Sequence, residues 1–326
     1  MILSVRKYRP APQLALLFLS WIWVIVMSFV EKDNQIPIDV IEPFSKLILS
    51  IFPTHTISNI ILVLLVLLFE AVYLSYIFQK HSLIERNNWI PSILYLILAG
   101  VSGSYTLSPP VIANLFILLS LDRLFVSYDS TKGIDDIMLS GLYISIAALF
   151  YFPSAVFILG IWLGLLIFRN LNWRYFTASI IGLLTPLIYL ATWFFIKDQL
   201  LMEANLLDSV MKKVLMQIEQ DLTGSMIVFS TTILLLIISI LYLSAHQQGK
   251  LIKIRKKTSI IITLSIISAT TVFVSHESIK QSMVVFVLLL TGALSIQISE
   301  MKSNLLSAML FWFLIIVYVM SNIGIF

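Results

Sequence analysis

Cysteine is absent from this chain of 326 residues. Its absence excludes disulfide bonds, thiolate metal sites and cysteine nucleophiles. Charge is also scarce, since aspartate, glutamate, lysine and arginine make up 12% of the residues, against about 25% in ordinary soluble domains. So few charged side chains cannot cover a core in water. The sequence therefore predicts a chain whose solvent is lipid.

Motifs typical of soluble enzymes are missing as well. There is no His-Glu-x-x-His pair, no phosphate-binding glycine loop and no nucleophilic serine flanked by glycines. The histidines lie in or beside predicted loops and lack metal-ligand spacing, so we interpret them as solvated. They are His55, His81, His246 and His276. No metal site is predicted, and no cofactor is identified.

Apolar residues dominate what is present, at 59% of the chain and a mean hydropathy of +0.99. A helix needs about 20 apolar residues to cross a bilayer, and the runs here are continuous rather than alternating as in a barrel strand. The first run lacks a cleavage site and is interpreted as an uncleaved helix. The predicted fold class is all-α, a polytopic transmembrane helical bundle of about eleven spans. The spans are placed at 14–30, 57–78, 89–104, 110–126, 137–152, 154–168, 175–196, 226–245, 259–275, 283–298 and 305–326.

The basic residues predict the topology. The N-terminus and every second loop hold 15 of the 21 lysines and arginines. Because positive loops stay in the cytoplasm, the N-terminus is predicted to be cytoplasmic and the C-terminus periplasmic. The pI of about 9.1 has the same explanation, so no nucleic-acid partner is expected.

Two helical hairpins, 89–126 and 137–168, fold back at Pro109-Pro110 and at Pro153. Three of their helices are predicted to have only 15 or 16 residues, about 24 Å of helix against a hydrocarbon core near 30 Å. They either cross a thinned bilayer or turn back partway. Both interpretations leave the same loops inside, so seven spans with two re-entrant hairpins remain the alternative to eleven.

Two long loops lie on the predicted outer side, Glu31 to Thr56 and Lys197 to Ser225. In each, apolar residues recur at helical spacing, which predicts an interfacial helix. The alternative is a plain connector that rests on the headgroups. The apolar positions are Phe44, Leu47, Ile48, Ile51 and Phe52 in the first loop and Leu207, Met211, Val214, Ile218 and Leu222 in the second.

The first outer loop opens with two acids, Glu31 and Asp33, which are candidate catalytic residues. A carboxylate at this place is able to act as general base on a polar headgroup substrate. The alternative is a pair of solvated acids that mark the membrane exit, because carboxylates are ordinary in exposed loops.

Glu70 lies just past the middle of the second predicted span, and Arg123 lies near the inner end of the fourth. Since charges in lipid are costly unless they are paired, the sequence predicts an intramembrane ion pair between Glu70 and Arg123. The alternatives are a protonated carboxyl and a proton or ion relay. A relay needs a chain of polar groups across the membrane, and the sequence identifies one member.

The inner loop from His246 to Thr258 is predicted to carry a basic cluster. A juxtamembrane cluster attracts anionic lipid headgroups by roughly 1 kcal/mol per charge, so it is a candidate headgroup-binding site. The simpler interpretation is a topology anchor. The cluster consists of Lys250, Lys253, Arg255, Lys256 and Lys257.

The order of these elements over residues 14–225 resembles the membrane module of the GT-C glycosyltransferases. The resemblance is one of layout: a cytoplasmic N-terminus, an outer loop after the first span, short hairpins and a second long outer loop. It implies a catalytic acid in the first outer loop, where only Glu31 and Asp33 stand, and polyprenyl-linked or lipid-linked sugars as donors. It also implies two parts, a GT-C-like module at 1–225 and a four-span segment at 226–326.

Three stretches are similar to an uncharacterised family of Bacteroidota inner-membrane proteins. They are Arg86–Pro91, Leu107–Phe116, and Leu149–Pro153 through Phe168–Trp173. The similarity covers about the first two-thirds of the chain. It implies location in a bacterial inner membrane and brings no established activity with it.

Two functions from different classes follow as hypotheses. The first is a membrane enzyme that acts on a polyprenyl-linked or lipid-linked glycan at the periplasmic face. The second is a non-catalytic membrane subunit or scaffold of a cell-envelope complex, whose protein partner the sequence does not identify. A transporter is a third reading, but the internal repeats expected of one are not found.

Overall fold

In the computed structural model, the described residues form α-helices and one short 3-10 turn and include no β-strand, which confirms the all-α fold. The structure describes residues 10–30, 44, 57–101, 107–129, 133–169, 172–197, 224–246, 250–274 and 279–301.

Ten α-helices follow one another in the described ranges, and we number them in chain order. They are α1 (Pro10–Val30), α2 (Ile57–Lys80), α3 (Ile90–Val101), α4 (Pro109–Asp129), α5 (Ile134–Phe150), α6 (Phe157–Phe168), α7 (Trp173–Ile196), α8 (Gly224–Ala245), α9 (Ile252–Val274) and α10 (Ile279–Glu300). The 3-10 turn, Phe152–Val156, precedes α6 and contains Pro153 at its start.

These helices coincide with ten of the eleven predicted spans, and the eleventh, 305–326, lies outside the described residues. Five of the ten are long and apolar enough to cross a membrane, which is compatible with an integral membrane protein. One predicted boundary is wrong in a way that matters for the site. The ninth span was placed from 259, but α9 begins at Ile252, so Lys253–Lys257 belong to a helix rather than to a loop.

The bundle has a buried centre and an exposed edge. At the centre lies α10, which packs against α3, α4, α8 and α9 and has 94% of its most apolar stretch buried. Helix α7 has only 11% of its most apolar stretch buried, and its main neighbour is α5. The two helices of that pair approach closely, because a Cβ atom on Gly182 would lie 2.0 Å from the carbonyl oxygen of Met138. Helix α10 is thus integral to the core, whereas α7 lies at the periphery.

Candidate functional site

Charged side chains from three helices meet at one end of the bundle. They come from the end of α2, the last two turns of α4 and the first turns of α9. We call this group the helix-end network and the corresponding side of the bundle the network end. Its members are Lys80, His81, Asp122, Asp129, Lys253 and Lys257.

Asp122 is the acceptor at the first centre of the helix-end network. Its carboxylate lies 2.8 Å from the ammonium group of Lys80 and 2.8 Å from Nε2 of His81. The side chains of Asp122 and His81 are 8% and 3% exposed. A carboxylate so well buried keeps its charge at low cost only if it has such donors.

Asp129 is the second centre, two helical turns further along α4. One of its oxygens lies 2.8 Å from Lys253 and the other 2.8 Å from Lys257. The Lys257 side chain is fully buried, at 0% exposure, and its ammonium group also lies 5.6 Å from the ring centroid of Phe125. The Asp129 carboxylate therefore neutralises a lysine that has no access to water.

His81 joins the two centres, and its neighbours determine its protonation. Nδ1 lies 3.1 Å from the Lys257 ammonium group, which can only donate, so Nδ1 must accept. The ring proton is then on Nε2 and is donated to Asp122. Burial lowers the pKa of His81, and the charge of Lys257 acts in the same direction against the hydrogen bond to Asp122. His81 is thus a neutral bridge between Asp122 and Lys257.

The helix-end network corrects two predictions. His81 is buried rather than solvated. The predicted headgroup cluster is divided among internal partners: Lys257 is buried, Lys253 contacts Asp129, and Lys250 lies 2.5 Å from Glu300. Lys256 donates to the Phe168 carbonyl at 3.2 Å, and Arg255 is exposed. Headgroup binding by Lys257 is excluded by its burial, while binding by Arg255 stays a prediction.

A second polar group lies in the middle of the helices, and we call it the Glu70 site. The Tyr95 hydroxyl of α3 donates to Oε2 of Glu70 at 2.5 Å. The Asn114 side-chain amide of α4 donates to the Tyr95 oxygen at 3.5 Å and to the Val284 carbonyl of α10 at 3.4 Å. Glu70, Tyr95 and Asn114 are fully buried. Among described residues, Oε1 of Glu70 and Oδ1 of Asn114 have no hydrogen-bond partner.

The predicted pair of Glu70 with Arg123 is wrong. Arg123 contacts Asp136 of α5 at 3.4 Å and is 41% exposed, whereas Glu70 is bound to Tyr95. The physical reason is depth, because Arg123 lies near the network end of α4 and a long basic side chain reaches toward water more easily than toward the bundle centre.

Two serines lie between the Glu70 site and the helix-end network. The hydroxyls of Ser75 and Ser92 are 2.6 Å apart, and Ser92 also donates to the Ala71 carbonyl at 2.6 Å. Ser75 follows Glu70 by five residues and precedes His81 by six, about 7.5 and 9 Å along a helix axis. The buried polar groups therefore form a row along α2 toward the network end.

The opposite end of the bundle is marked by contacts of the hairpin tips. The backbone N–H of Leu107 donates to the Asn59 side chain at 3.1 Å, in the first turn of α2. Phe150 lies 5.4 Å from Phe44 between ring centroids. Phe44 belongs to the predicted first outer loop. We call this side the far end.

Other predicted site residues are not placed by the structure. Glu31 and Asp33 lie outside the described residues, as do both predicted interfacial helices except for Phe44. In the described ranges no group of three or more histidine, aspartate or glutamate side chains is arranged to hold a metal ion.

The helix-end network and the partners of Glu70 were not predicted from the sequence. A usable signal was present, because Asp122 and Asp129 are seven residues apart and Lys253 and Lys257 are four apart, which places each pair on one helix face.

Comparison of the chain with protein-family models, with curated proteins and with solved structures finds no match.

Proposed function

We propose that the chain is a multi-pass protein of a bacterial inner membrane, with a GT-C-like layout, that acts on a polyprenyl-linked or lipid-linked glycan at the periplasmic face. In this proposal the network end is cytoplasmic and the far end is periplasmic. The N-terminus is then cytoplasmic, and both hairpins cross the membrane.

The observation that carries the proposal is the agreement between charge bias and packing. Loops assigned to the cytoplasm by their basic residues adjoin the helix ends that meet in the helix-end network. The tip of the first hairpin instead reaches the start of α2 through Leu107 and Asn59. This hairpin extends along the whole of α2, whose 24 residues correspond to about 36 Å, which favours crossing over a re-entrant turn.

The same packing supports the placement of both long connections at the far end. Residues 31–56 join α2 at Ile57, in the turn that contains Asn59. Residues 198–223 join α8 at its start, and Phe229 in this part of α8 lies 5.3 Å from Phe273 at the last turn of α9, the end away from Lys257. Two long connections on the periplasmic side, the first with Glu31 and Asp33, are what the GT-C layout requires.

Lipid analysis tests this proposal. A strain that lacks the protein is complemented with wild type, with Glu31→Gln and Asp33→Asn together, or with a control, Asp39→Asn and Glu42→Gln, that removes two acids from the same segment. We expect a lipid-linked saccharide to accumulate without the protein and with the first variant, and to be cleared by wild type and by the control. An unchanged lipid profile in the deletion strain would overturn the proposal.

One observation favours the alternative, a non-catalytic subunit that binds another integral membrane protein. Helix α7 leaves large apolar side chains exposed, among them Tyr189 at 75% and Phe195 at 72%. An apolar helix of another membrane protein would fit this face. Photo-crosslinking in cells from a reactive amino acid at Tyr189 tests it, with Leu163 on α6 as control. A discrete protein adduct from α7 alone supports the subunit, and adducts with lipid alone contradict it.

A further inference from the structure

The Glu70 site lies far from water along its helix. Glu70 is the fourteenth of 24 residues in α2, which leaves about 15 Å of helix to Lys80 and more to the other end. An ionised carboxylate at such a place costs several kcal/mol unless a cation or several donors face it. The state of Glu70 therefore depends on what its neighbours provide.

The described neighbours provide one donor and no cation. Tyr95 of α3 is the titratable group next to Glu70. The other neighbours are uncharged, namely the Asn114 amide of α4 and the Val284 carbonyl of α10. The closest charged groups on α2 and α4 are Lys80 and Asp122, which are occupied with each other. With one hydrogen bond to Oε2, the uncharged acid is the stable form.

The position of the proton on Glu70 follows from the hydrogen bonds. Because Tyr95 donates to Oε2, the acid proton is on Oε1, which has no partner. Asn114 contributes Oδ1, an acceptor that also has no partner. The Glu70 site therefore combines an unused donor with an unused acceptor.

Two serine hydroxyls lie between Glu70 and the network end. Ser92 lies one helical turn from Tyr95 on α3, and its hydroxyl contacts that of Ser75 at 2.6 Å. A hydroxyl both donates and accepts, so the pair is able to pass a proton when the Ser92 hydroxyl turns away from the Ala71 carbonyl. Beyond it lies His81, at the network end.

We propose that Glu70, with Tyr95 and Asn114, forms an intramembrane proton-binding site that exchanges its proton with the network end of the bundle through Ser75 and Ser92. In the exchange, the Oε1–H bond of the acid breaks, the proton passes to water at the network end, and the carboxylate left behind keeps the hydrogen bond from Tyr95. One proton moves and no electron is transferred. The proposal does not depend on the glycan-directed function.

Infrared spectroscopy of the full-length protein in lipid nanodiscs tests the bound proton. The carbonyl-stretching band of a protonated carboxylic acid is expected at pH 7 in wild type and is expected to be lost in Glu70→Gln. In Tyr95→Phe the band should persist at a higher frequency, because Oε2 loses its hydrogen bond. Absence of the band in wild type would overturn the proposal.

Hydrogen–deuterium exchange of the same band tests the route. After transfer to D₂O the band shifts as the acid proton is replaced. Ser75→Ala and Ser92→Ala, singly and together, are expected to slow this shift at least tenfold. Ser145→Ala on α5 removes a buried hydroxyl far along the chain from the row and is the matched control. An exchange rate unchanged in all three serine variants would overturn the route. Either single variant suffices if the double variant does not fold.

Discussion

The helix-end network and the Glu70 site answer the same problem, a buried acid, in opposite ways. Asp122 is 8% exposed and has Lys80 and His81 within 2.8 Å. Glu70 is fully buried and has the hydroxyl of Tyr95 as its hydrogen-bond donor. Burial is similar in the two places, so the available partners decide whether charge is retained. Charge persists where ammonium groups reach the carboxylate, and is given up where they do not.

This difference separates two roles. The paired charges of the helix-end network connect α2, α4 and α9, and none of their buried side-chain atoms lacks a hydrogen-bond partner. The Glu70 site leaves two oxygen atoms without partners. We therefore assign the first region to the stability of the bundle and the second to proton exchange.

The largest effect is expected from Asp129→Asn. The change leaves the fully buried ammonium group of Lys257 without its carboxylate, at a cost of about 3 kcal/mol in the free energy of unfolding. Thermal unfolding in detergent measures the loss. Asp135→Asn, an exposed acid at the start of α5, is the control and should have little effect.

A second variant shows whether that loss comes from an unpaired charge. Combining Asp129→Asn with Lys257→Met removes both members of the pair, and most of the lost stability should return because no buried charge remains. Equal instability in the single and double variants would contradict this role of the helix-end network.

A smaller effect is expected from acid. In the folded protein the pKa of His81 is lowered, whereas a histidine in the unfolded chain has a pKa of about 6.5. The unfolded state therefore binds more protons below that pH, and stability should fall as pH falls through about 6.5, by up to about 1.4 kcal/mol per pH unit. Melting curves from pH 8 to pH 5 measure the slope. His81→Gln should reduce it, and an unchanged slope in that variant would contradict the neutral bridge.

Tyr95→Phe should cost about 1 kcal/mol, the usual value for a lost hydrogen bond. The hydroxyl donates to Glu70 and accepts from Asn114, so both lose a partner. Denaturation in detergent measures the cost. A loss as large as that of Asp129→Asn would mean that Tyr95 stabilises a charged carboxylate, and the contrast between the two regions would disappear.

The smallest effect is expected from Glu70→Gln, below about 1 kcal/mol, because an amide replaces a neutral acid of nearly the same shape. The same denaturation assay applies. A marked loss of folded protein would mean that Glu70 is ionised in the native state.

The sequence predicted the helices better than the contacts between them. The apolar runs predicted ten spans at positions where helices occur, because an apolar helix can be recognised from residues that are neighbours in the sequence. The partners of the charges were not predictable in this way. Lys257 and Asp129 are 128 residues apart in the chain, and only the packing of α9 against the rest of the bundle brings them together.

The failed Glu70 and Arg123 pair shows the same limit. The opposite charges of Glu70 and Arg123 suggested a contact, but the actual partner of Glu70 is Tyr95. Tyrosine is common in apolar segments, so its presence in the sequence does not indicate a hydrogen bond to a buried acid. Lys257 was assigned to a loop because the predicted start of its span lay a few residues too late. His81 does lie in the turn after α2, as predicted, but it is buried. Because α9 begins seven residues before its predicted start, Lys257 lies in the buried part of the bundle rather than in a loop beside lipid headgroups.

The absence of cysteine allows the central claim to be measured directly, namely that the helix-end network faces the cytoplasm and the hairpins cross to the other side. Single-cysteine variants Ser104→Cys, between α3 and α4, and Glu85→Cys, between α2 and α3, are treated with a membrane-impermeant maleimide in intact cells and after lysis. We predict that Ser104→Cys is labelled in intact cells and Glu85→Cys only after lysis. Labelling of Ser104→Cys only after lysis would indicate a re-entrant hairpin, and labelling of Glu85→Cys in intact cells would indicate the opposite orientation. Either result would contradict the account.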